Sequence, residues 1–185
     1  MDVLSIIKQE HRQVGALIDE ADGCEPGDER LHELAREISE KLSLHLSIEE
    51  RLFYGPLRDQ AEDSEERVDV FEAYTEHAAA KGLMEMLRSG RKPDERFKAE
   101  MQVLGESVKH HVEEEESKVF AVARKLFDDD ELEGIGEQWE KAKQRAQRSS
   151  TGGRKKAARK KPARKSVARK TAPAGTGTRR KKARR

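Results

Sequence analysis

The chain has 185 residues, of which 41% are charged and 4% aromatic, and its formal net charge is +1. Its single cysteine, Cys24, excludes an internal disulfide framework and a thiolate metal cluster within one chain, and it is typical of a reducing cytoplasm. No apolar run approaches the ~20 residues of a membrane-spanning helix, and the start of the chain lacks the apolar stretch of a secretory signal.

The first two predicted elements are long amphipathic helices. Apolar residues recur every three or four positions over about 2–22, and again over about 28–54. The first helix should end before the segment GCEPGD, which contains two glycines and a proline. The second should end at Gly55-Pro56.

Two further long helices and a shorter one follow. The third spans about 64–89 and the fourth about 94–127, with the same apolar periodicity. A short fifth helix, about 130–147, contains the only tryptophan, Trp139. Four long helices with short connections predict an all-α fold, an antiparallel up-down four-helix bundle to which the fifth helix is added.

An internal repeat links four histidines and two glutamates. In each half of the bundle a histidine is followed 34 residues later by a second histidine, and four residues after that by a glutamate; the halves are 66 residues apart. The six residues are His11, His45, Glu49, His77, His111 and Glu115. The repeat indicates two helical hairpins related by a pseudo-two-fold axis.

The repeated residues lie on the apolar stripes of their helices, so their side chains should point into the bundle. Residues four apart share one helix face, and a carboxylate left alone in an apolar core is costly. Four imidazoles and two carboxylates suit two transition-metal ions such as Fe, Zn, Cu or Ni, and each glutamate could bridge them. The alternative is a structural polar layer of His–Glu hydrogen bonds.

The motifs around these residues are specific. They are His11, HLSIE (45–49), Phe53-Tyr54, His77, HVEEE (111–115) and Val119-Phe120. Over about residues 1–127 the chain resembles the hemerythrin-like, HHE cation-binding family. The resemblance implies two iron ions inside the bundle, bridged by two carboxylates and by an oxo or hydroxo group. It also implies binding, sensing or detoxification of O2, H2O2 or NO.

One ligand of the oxygen-carrying members of that family has no counterpart. They place two histidines one turn apart on the third helix, whereas the positions one turn before and after His77 hold Ala73 and Lys81. Tyr54, five residues after Glu49, is the candidate for this position, because phenolate is a good ligand for ferric iron. Alternatively, Tyr54 only packs at the end of the bundle. The missing histidine favours redox chemistry or sensing over oxygen transport, and it leaves open weak catalase- or peroxidase-type activity.

The end of the chain has a different composition. Residues 149–185 hold 16 of the 38 Lys and Arg and none of the 37 Asp and Glu, so residues 1–148 carry 22 basic and 37 acidic side chains, a net charge of −15. The last 37 residues contain one apolar residue besides alanine, Val167. We therefore expect a bundle domain over 1–148 and a disordered tail over 149–185.

The basic tail resembles those of histones and histone-like proteins in composition. Lys and Arg neutralise phosphates, which predicts salt-sensitive, sequence-independent DNA binding, and no aromatic residue is present for base stacking. The predicted nucleic-acid-binding residues are Arg154, Lys155, Lys156, Arg159, Lys160, Lys161, Arg164, Lys165, Arg169, Lys170, Arg179, Arg180, Lys181, Lys182, Arg184 and Arg185. Two alternatives are a tail folded over the acidic body and a tail on an anionic membrane.

Two functional hypotheses follow. The first is a di-iron protein that acts on O2, H2O2 or NO and is tethered by its tail to DNA, in the cytoplasm and near the nucleoid. The second is a nucleic-acid-associated structural protein whose metal site only stabilises the bundle. Turnover by iron-loaded protein favours the first, and DNA binding that is unchanged by metal removal favours the second.

Overall fold

The structure is a computed structural model that describes residues 1–88 and 91–158, with the backbone alone from Ser150 to Ala158. The helices are α1 (Val3–Asp22), α2 (Arg30–Glu49), α3 (Gly55–Gln60), α4 (Ser64–Leu87), α5 (Glu95–Glu114), α6 (Phe120–Leu126) and α7 (Asp129–Ala158). Two π-helical turns, π1 (Glu50–Tyr54) and π2 (Glu115–Val119), join α2 to α3 and α5 to α6.

The four longest elements of the bundle are α1, α2, α4 and α5. Each packs against two others, in the order α1–α2, α2–α4, α4–α5 and α5–α1. Each buries an apolar stripe, and Asp2, Asp63 and Asp94 cap the N-termini of α1, α4 and α5. The predicted all-α, up-down four-helix bundle is confirmed. Among the described residues, no helix is long and apolar enough to cross a membrane.

The second helical segment does not end where the sequence predicts. Instead of stopping at Gly55-Pro56, it continues through π1 into α3 and ends at Gln60. The Gly55 N–H donates to the Glu50 carbonyl, five residues back, and Pro56 lies in the first turn of α3. A missing N–H is tolerated in a first turn, so the wider π turn accommodates the proline. The prediction that this pair terminates the helix is wrong.

The fifth helix is longer than predicted. It was expected over about 130–147, but α7 continues to Ala158, so the backbone of 149–158 is helical where the sequence predicts disorder. Ala, Arg and Lys have high helix propensity, and extending an existing helix avoids the cost of nucleation. Residues 159–185, the rest of the predicted disordered tail, lie outside the described residues.

Two hydrophobic clusters fill the bundle, one on each side of the repeated residues. The π-end core surrounds the two π turns and includes Ile7, Phe53 and Phe120. The other cluster fills the opposite end of the bundle and includes Val14. Along α1, His11 therefore lies between the two clusters. The apolar packing on both sides holds the polar layer at a fixed height in the bundle.

Helix α7 is part of the packed structure. It lies against α1, α2 and π1, and its Trp139 is fully buried in the π-end core. Gly136 approaches the start of α1 so closely that an added Cβ would lie 2.3 Å from the carbonyl oxygen of Met1. The close contact therefore requires a glycine, and it docks α7 beside the polar layer.

Candidate metal centre

The six repeated residues converge in one buried layer. Their exposed fractions range from 0 to 7%. Glu49 is the last residue of α2 and Glu115 the first of π2, so each glutamate lies where the α-helix widens. π-helical turns occur frequently at functional sites. The structure thus brings together all six residues that the repeat singles out.

The four histidines form two pairs, which we call the A half (His11 and His45) and the B half (His77 and His111). The ring centroids are 5.1 Å apart in the A half and 4.7 Å apart in the B half. In the B half the two Nε2 atoms are 3.1 Å apart. Two nitrogens bound about 2.1 Å from one ion at a right angle would be separated by about 3 Å.

The two glutamates lie between these halves. Glu49 Oε2 is 3.2 Å from His45 Nε2 and 3.3 Å from His77 Nε2. Glu115 Oε2 is 3.2 Å from His11 Nε2 and 3.9 Å from His111 Nε2. One oxygen of each carboxylate therefore lies between the two halves, where the glutamate could serve as a ligand to both.

Unpaired polar atoms distinguish a metal site from a hydrogen-bonded polar layer. The buried atoms of the layer without a hydrogen-bond partner among the described residues are His11 Nε2, His45 Nε2, both carboxylate oxygens of Glu49 and Glu115 Oε2. Each such group costs about 1–3 kcal/mol where it stays unpaired, and a proton on His45 Nε2 would pair only one of the two Glu49 oxygens. Metal ligation would satisfy all of these atoms.

Two triads have ligand atoms close enough to share an ion. They are His11, His45 and Glu49, and Glu49, His77 and His111.

Each histidine also contacts a carboxylate outside the layer through Nδ1. The pairs are His11 with Glu116 (3.0 Å), His45 with Glu10 (2.9 Å), His77 with Glu50 (3.0 Å) and His111 with Glu76 (2.8 Å). A carboxylate at Nδ1 fixes the ring orientation, keeps the proton on that nitrogen and makes Nε2 a stronger ligand. We call these four residues the outer carboxylates.

Sequence reasoning did not assign the outer carboxylates, although their signal was present. They follow the same 66-residue shift, which relates Glu10 to Glu76 and Glu50 to Glu116. Each is adjacent in sequence to a repeated residue, yet each contacts a histidine on another helix. The repeat could have revealed the four residues, but only the fold reveals their partners.

A basic side chain, a lysine in three cases and a histidine in the fourth, lies behind each outer carboxylate. The pairs are Glu10 with Lys143 (2.6 Å), Glu50 with Lys81 (2.6 Å), Glu116 with Lys8 (3.3 Å) and Glu76 with His110 (3.4 Å). Burial raises the pKa of Glu10, but its hydrogen bonds to His45 and Lys143 outweigh that effect and lower its pKa. The pKa values of Glu76 and Glu116 are lowered as well, chiefly by their hydrogen bonds to His111 and His11, so Glu10, Glu76 and Glu116 can accept from the histidines as carboxylates.

The negative charge of the layer has a large effect on the pKa of His45. Burial lowers the pKa of His45, but the negative charge of Glu49 and the hydrogen bond to Glu10 outweigh it and raise that pKa to about 10. Burial likewise raises the pKa of Glu49, but His45 and His77 hold it well below its usual range. In the metal-free protein His45 is therefore protonated at neutral pH, and a metal ion must displace that proton.

Tyr54 lies beside the B half. Its side chain is fully buried, and its hydroxyl donates to Glu115 Oε1 at 2.9 Å and lies 3.4 Å from His77 Nε2. Burial and the charge of Glu115 raise the pKa of Tyr54 well above its usual value. The 66-residue shift places Phe120, which has no hydroxyl, at the equivalent position. Tyr54 thus reaches the layer, and it makes the two halves chemically different.

A narrow apolar cavity lies against the layer on the side away from the π turns. Besides the four histidines it is lined mostly by apolar side chains, including Val14, Leu42 and Leu46, and by two further polar residues, Glu76 and Ser107. A narrow, mostly apolar lining favours small neutral molecules over charged solutes.

The predicted nucleic-acid-binding residues are described only in part. The backbone of Arg154, Lys155 and Lys156 belongs to α7. The other thirteen, from Arg159 onward, lie outside the described residues. DNA binding by the tail therefore stays a prediction.

Comparison with known proteins places this arrangement in a family. The model of the hemerythrin HHE cation binding domain matches residues 2–123. A solved hemerythrin HHE cation binding domain-containing protein from Mycobacterium kansasii has the same fold, with a TM-score of 0.65 and 20% identity over 78% of this chain and 86% of that chain.

A curated relative matches this chain over part of its own length. The "DNA nickase" of Nostoc sp. (strain PCC 7120 / SAG 25.82 / UTEX 2576) is 25% identical over 147 residues, which cover 80% of this chain. The match covers 40% of that relative, so most of the nickase lies outside it.

Proposed function

The chain belongs to the hemerythrin HHE cation-binding family, and from this premise we propose that it is a non-haem di-iron protein that binds O2, H2O2 or NO to sense or detoxify it. One observation carries the proposal: the buried layer of four imidazoles and two carboxylates contains polar atoms without hydrogen-bond partners among the described residues. Metal binding resolves this energetic cost, and the mixed nitrogen and oxygen ligands suit iron.

Each half of the layer would hold one ion. The A half would supply His11 and His45, the B half His77 and His111, and the two glutamates would bridge. Iron supplies a ferrous/ferric couple that can exchange electrons with a small ligand. The outer carboxylates orient the imidazoles, so the ligands are held in place before the metal arrives and little reorganisation is needed.

Tyr54 would complete the B half. Its hydroxyl already lies beside Glu115 and His77. Its raised pKa keeps it a neutral phenol in the metal-free protein, and ligation to a cation would release the proton. The A half has Phe120 at the matching position, so it would keep one more position for an external ligand.

The surroundings of the layer favour a small uncharged ligand. The apolar cavity touches all four histidines, and the six repeated residues are almost fully buried. O2, H2O2 and NO are small enough and neutral enough to enter, whereas larger or charged substrates would lose their hydration without compensation.

The test is spectroscopic. Iron-loaded protein should change its visible absorption when H2O2 or NO is added anaerobically, or O2 to the reduced form. His45→Ala should abolish or strongly alter the change, and His32→Ala, a histidine outside the layer, should leave it intact. An iron-loaded protein whose spectrum responds to none of the three molecules would contradict the proposed function.

A second function, DNA association, is favoured by the tail and by the name of the Nostoc relative. We propose that the basic tail tethers the acidic body to DNA through phosphate contacts. The full chain should then bind random-sequence DNA at low salt, with an affinity that falls steeply as the salt concentration rises, and a chain ending at Arg148 should not bind.

Equal DNA binding by the full chain and the shortened chain would contradict the tether. Binding unchanged by removal of iron, in a protein without ligand response, would favour a purely structural metal site.

A further inference from the structure

Helix α7 contacts the candidate metal centre although it lies beyond residues 2–123, which match the family model. It carries the only tryptophan of the chain, and that side chain is fully buried. Its ring centroid is 5.5 Å from that of His45, at an angle of 63°. The fifth helix therefore packs directly on a histidine of the A half.

Two side chains of α7 converge on one oxygen of an outer carboxylate. The indole N–H of Trp139 donates to Glu10 Oε1 at 3.2 Å, and Lys143 Nζ lies 2.6 Å from the same oxygen. The other oxygen of Glu10 accepts from His45 Nδ1 at 2.9 Å. Glu10 thus links α7 to His45, with one oxygen for each side.

We propose that α7 sets the metal affinity of the A half, with Trp139 and Lys143 as positioning residues that act through Glu10 on His45. The proposal rests on the proposed metal-binding function. It assigns a role to a helix that lies outside the four-helix bundle itself.

The proposal depends on how freely the Glu10 side chain can rotate. The Glu10 side chain is 14% exposed, and without donors at Oε1 it could rotate toward solvent and release His45. A neutral donor and a cation at Oε1 hold the carboxylate in one rotamer, with its other oxygen on His45 Nδ1. A carboxylate held at Nδ1 fixes the imidazole ring and makes His45 Nε2 a better metal ligand.

The equivalent residue of the B half has no such support from α7. Glu76 is related to Glu10 by the 66-residue shift, and its second oxygen lies 3.4 Å from His110, which is 64% exposed. His110 belongs to α5, the helix that also carries His111. The outer carboxylate of His45 is therefore held by the fifth helix, whereas that of His111 is held within the bundle.

Three variants of the full chain test the proposal. Lys143→Met and Trp139→Phe remove the two contacts to Glu10 while keeping an apolar side chain at each position. Lys81→Met is the matched control, because Lys81 lies 2.6 Å from Glu50, the outer carboxylate of His77 in the B half. Anaerobic equilibrium dialysis against Fe2+ measures both binding steps, and urea unfolding of the metal-free proteins measures stability.

Trp139 emission identifies the affected half. Because the indole packs on His45, iron in the A half should quench it. In Lys143→Met the quenching should move to about 10-fold higher Fe2+, with the other binding step unchanged. In Lys81→Met the quenching should stay at the wild-type concentration while the other step weakens. Lys143→Arg should restore wild-type quenching, because a guanidinium also reaches Glu10.

A double-variant cycle tests the route through Glu10. Adding Lys143→Met to Glu10→Gln should cause little further loss of iron affinity, because the lysine acts only through the carboxylate. The inference is overturned if Lys143→Met and Trp139→Phe bind both ions like the wild type, or if they only lower the urea midpoint. A wild type that binds no iron would instead overturn the proposed function and, with it, this inference.

Discussion

The two hairpins of the bundle, α1–α3 and α4–α6, carry the same histidines and glutamates at the same spacing, yet they end in different surroundings. The B half receives the hydroxyl of Tyr54, where the A half has Phe120. The A half is covered by Trp139 from α7. A repeated sequence thus supplies equivalent ligands, and residues outside the repeat make the two positions different. Such a difference is what a site needs if only one ion is to bind an external ligand.

The largest expected effect comes from a residue that serves both halves. Glu49→Ala removes the oxygen that faces His45 and His77. We therefore expect both ions to be lost, or the affinity for both to fall at least about 100-fold. His11→Ala removes a ligand of the A half alone and should leave about one ion per chain. Metal analysis after dialysis against Fe2+ measures both. Retention of two ions by Glu49→Ala would show that the glutamate does not bridge.

Each outer carboxylate should affect the iron affinity of one half only. Glu10→Gln and Glu76→Gln keep the shape of the side chain but remove the charge. Each should lower the affinity for one ion by about 10- to 100-fold. Glu72→Gln is the control, because Glu72 is exposed and lies one turn from Glu76. Stepwise Fe2+ binding curves distinguish these variants. Equal weakening of both steps by a single variant would contradict the separation into two halves.

Tyr54→Phe should change the spectrum more than the iron content. Removing the phenol should abolish a broad visible band of the ferric protein, while about two ions stay bound. In the metal-free protein Glu115 loses a donor, at a cost of roughly 2 kcal/mol. Phe120→Tyr places a phenol beside the A half and is the converse experiment. An identical ferric spectrum in wild type and Tyr54→Phe would exclude ligation by the phenol.

The most gradual expected effect is a dependence of stability and of iron binding on pH. The pKa of His45, about 10 in the folded metal-free protein, exceeds its ordinary value of ~6.5. Its charge therefore stabilises the metal-free fold fully below pH 6.5, and this contribution is lost as the pH rises toward 10. Over the same window iron binding should strengthen about tenfold per pH unit for each proton released. Calorimetry in buffers of different ionisation enthalpy counts the protons, and the absence of proton release at pH 7 would contradict a protonated His45.

The sequence was sufficient for the bundle and for the layer, because both depend on periodicity. Apolar residues at helical spacing predicted the four long helices, and the doubled spacing singled out all six residues that the structure brings together. These signals repeat regularly along the chain and do not depend on which residues are in contact in the fold. They can therefore be recognised in a single sequence.

The omissions depend on contacts between elements, whereas the misplaced helix ends depend on local backbone geometry. Gly55-Pro56 was expected to end a helix, because a π turn cannot be recognised from local propensity. Trp139 had no assigned role, because its partner Glu10 lies 129 residues away. The outer carboxylates were visible as part of the repeat, but each serves a histidine on another helix. Long-range pairing of this kind requires the fold.

The central claim is that the buried layer holds two iron ions. The most direct measurement is the iron content of the full chain purified from iron-replete cells, combined with its absorption spectrum in air. The account predicts about two irons per chain and ferric bands in the near ultraviolet. A colourless, metal-free protein that is fully helical, and that takes up no Fe2+ on dialysis, would contradict it and would leave the six residues as a structural polar layer.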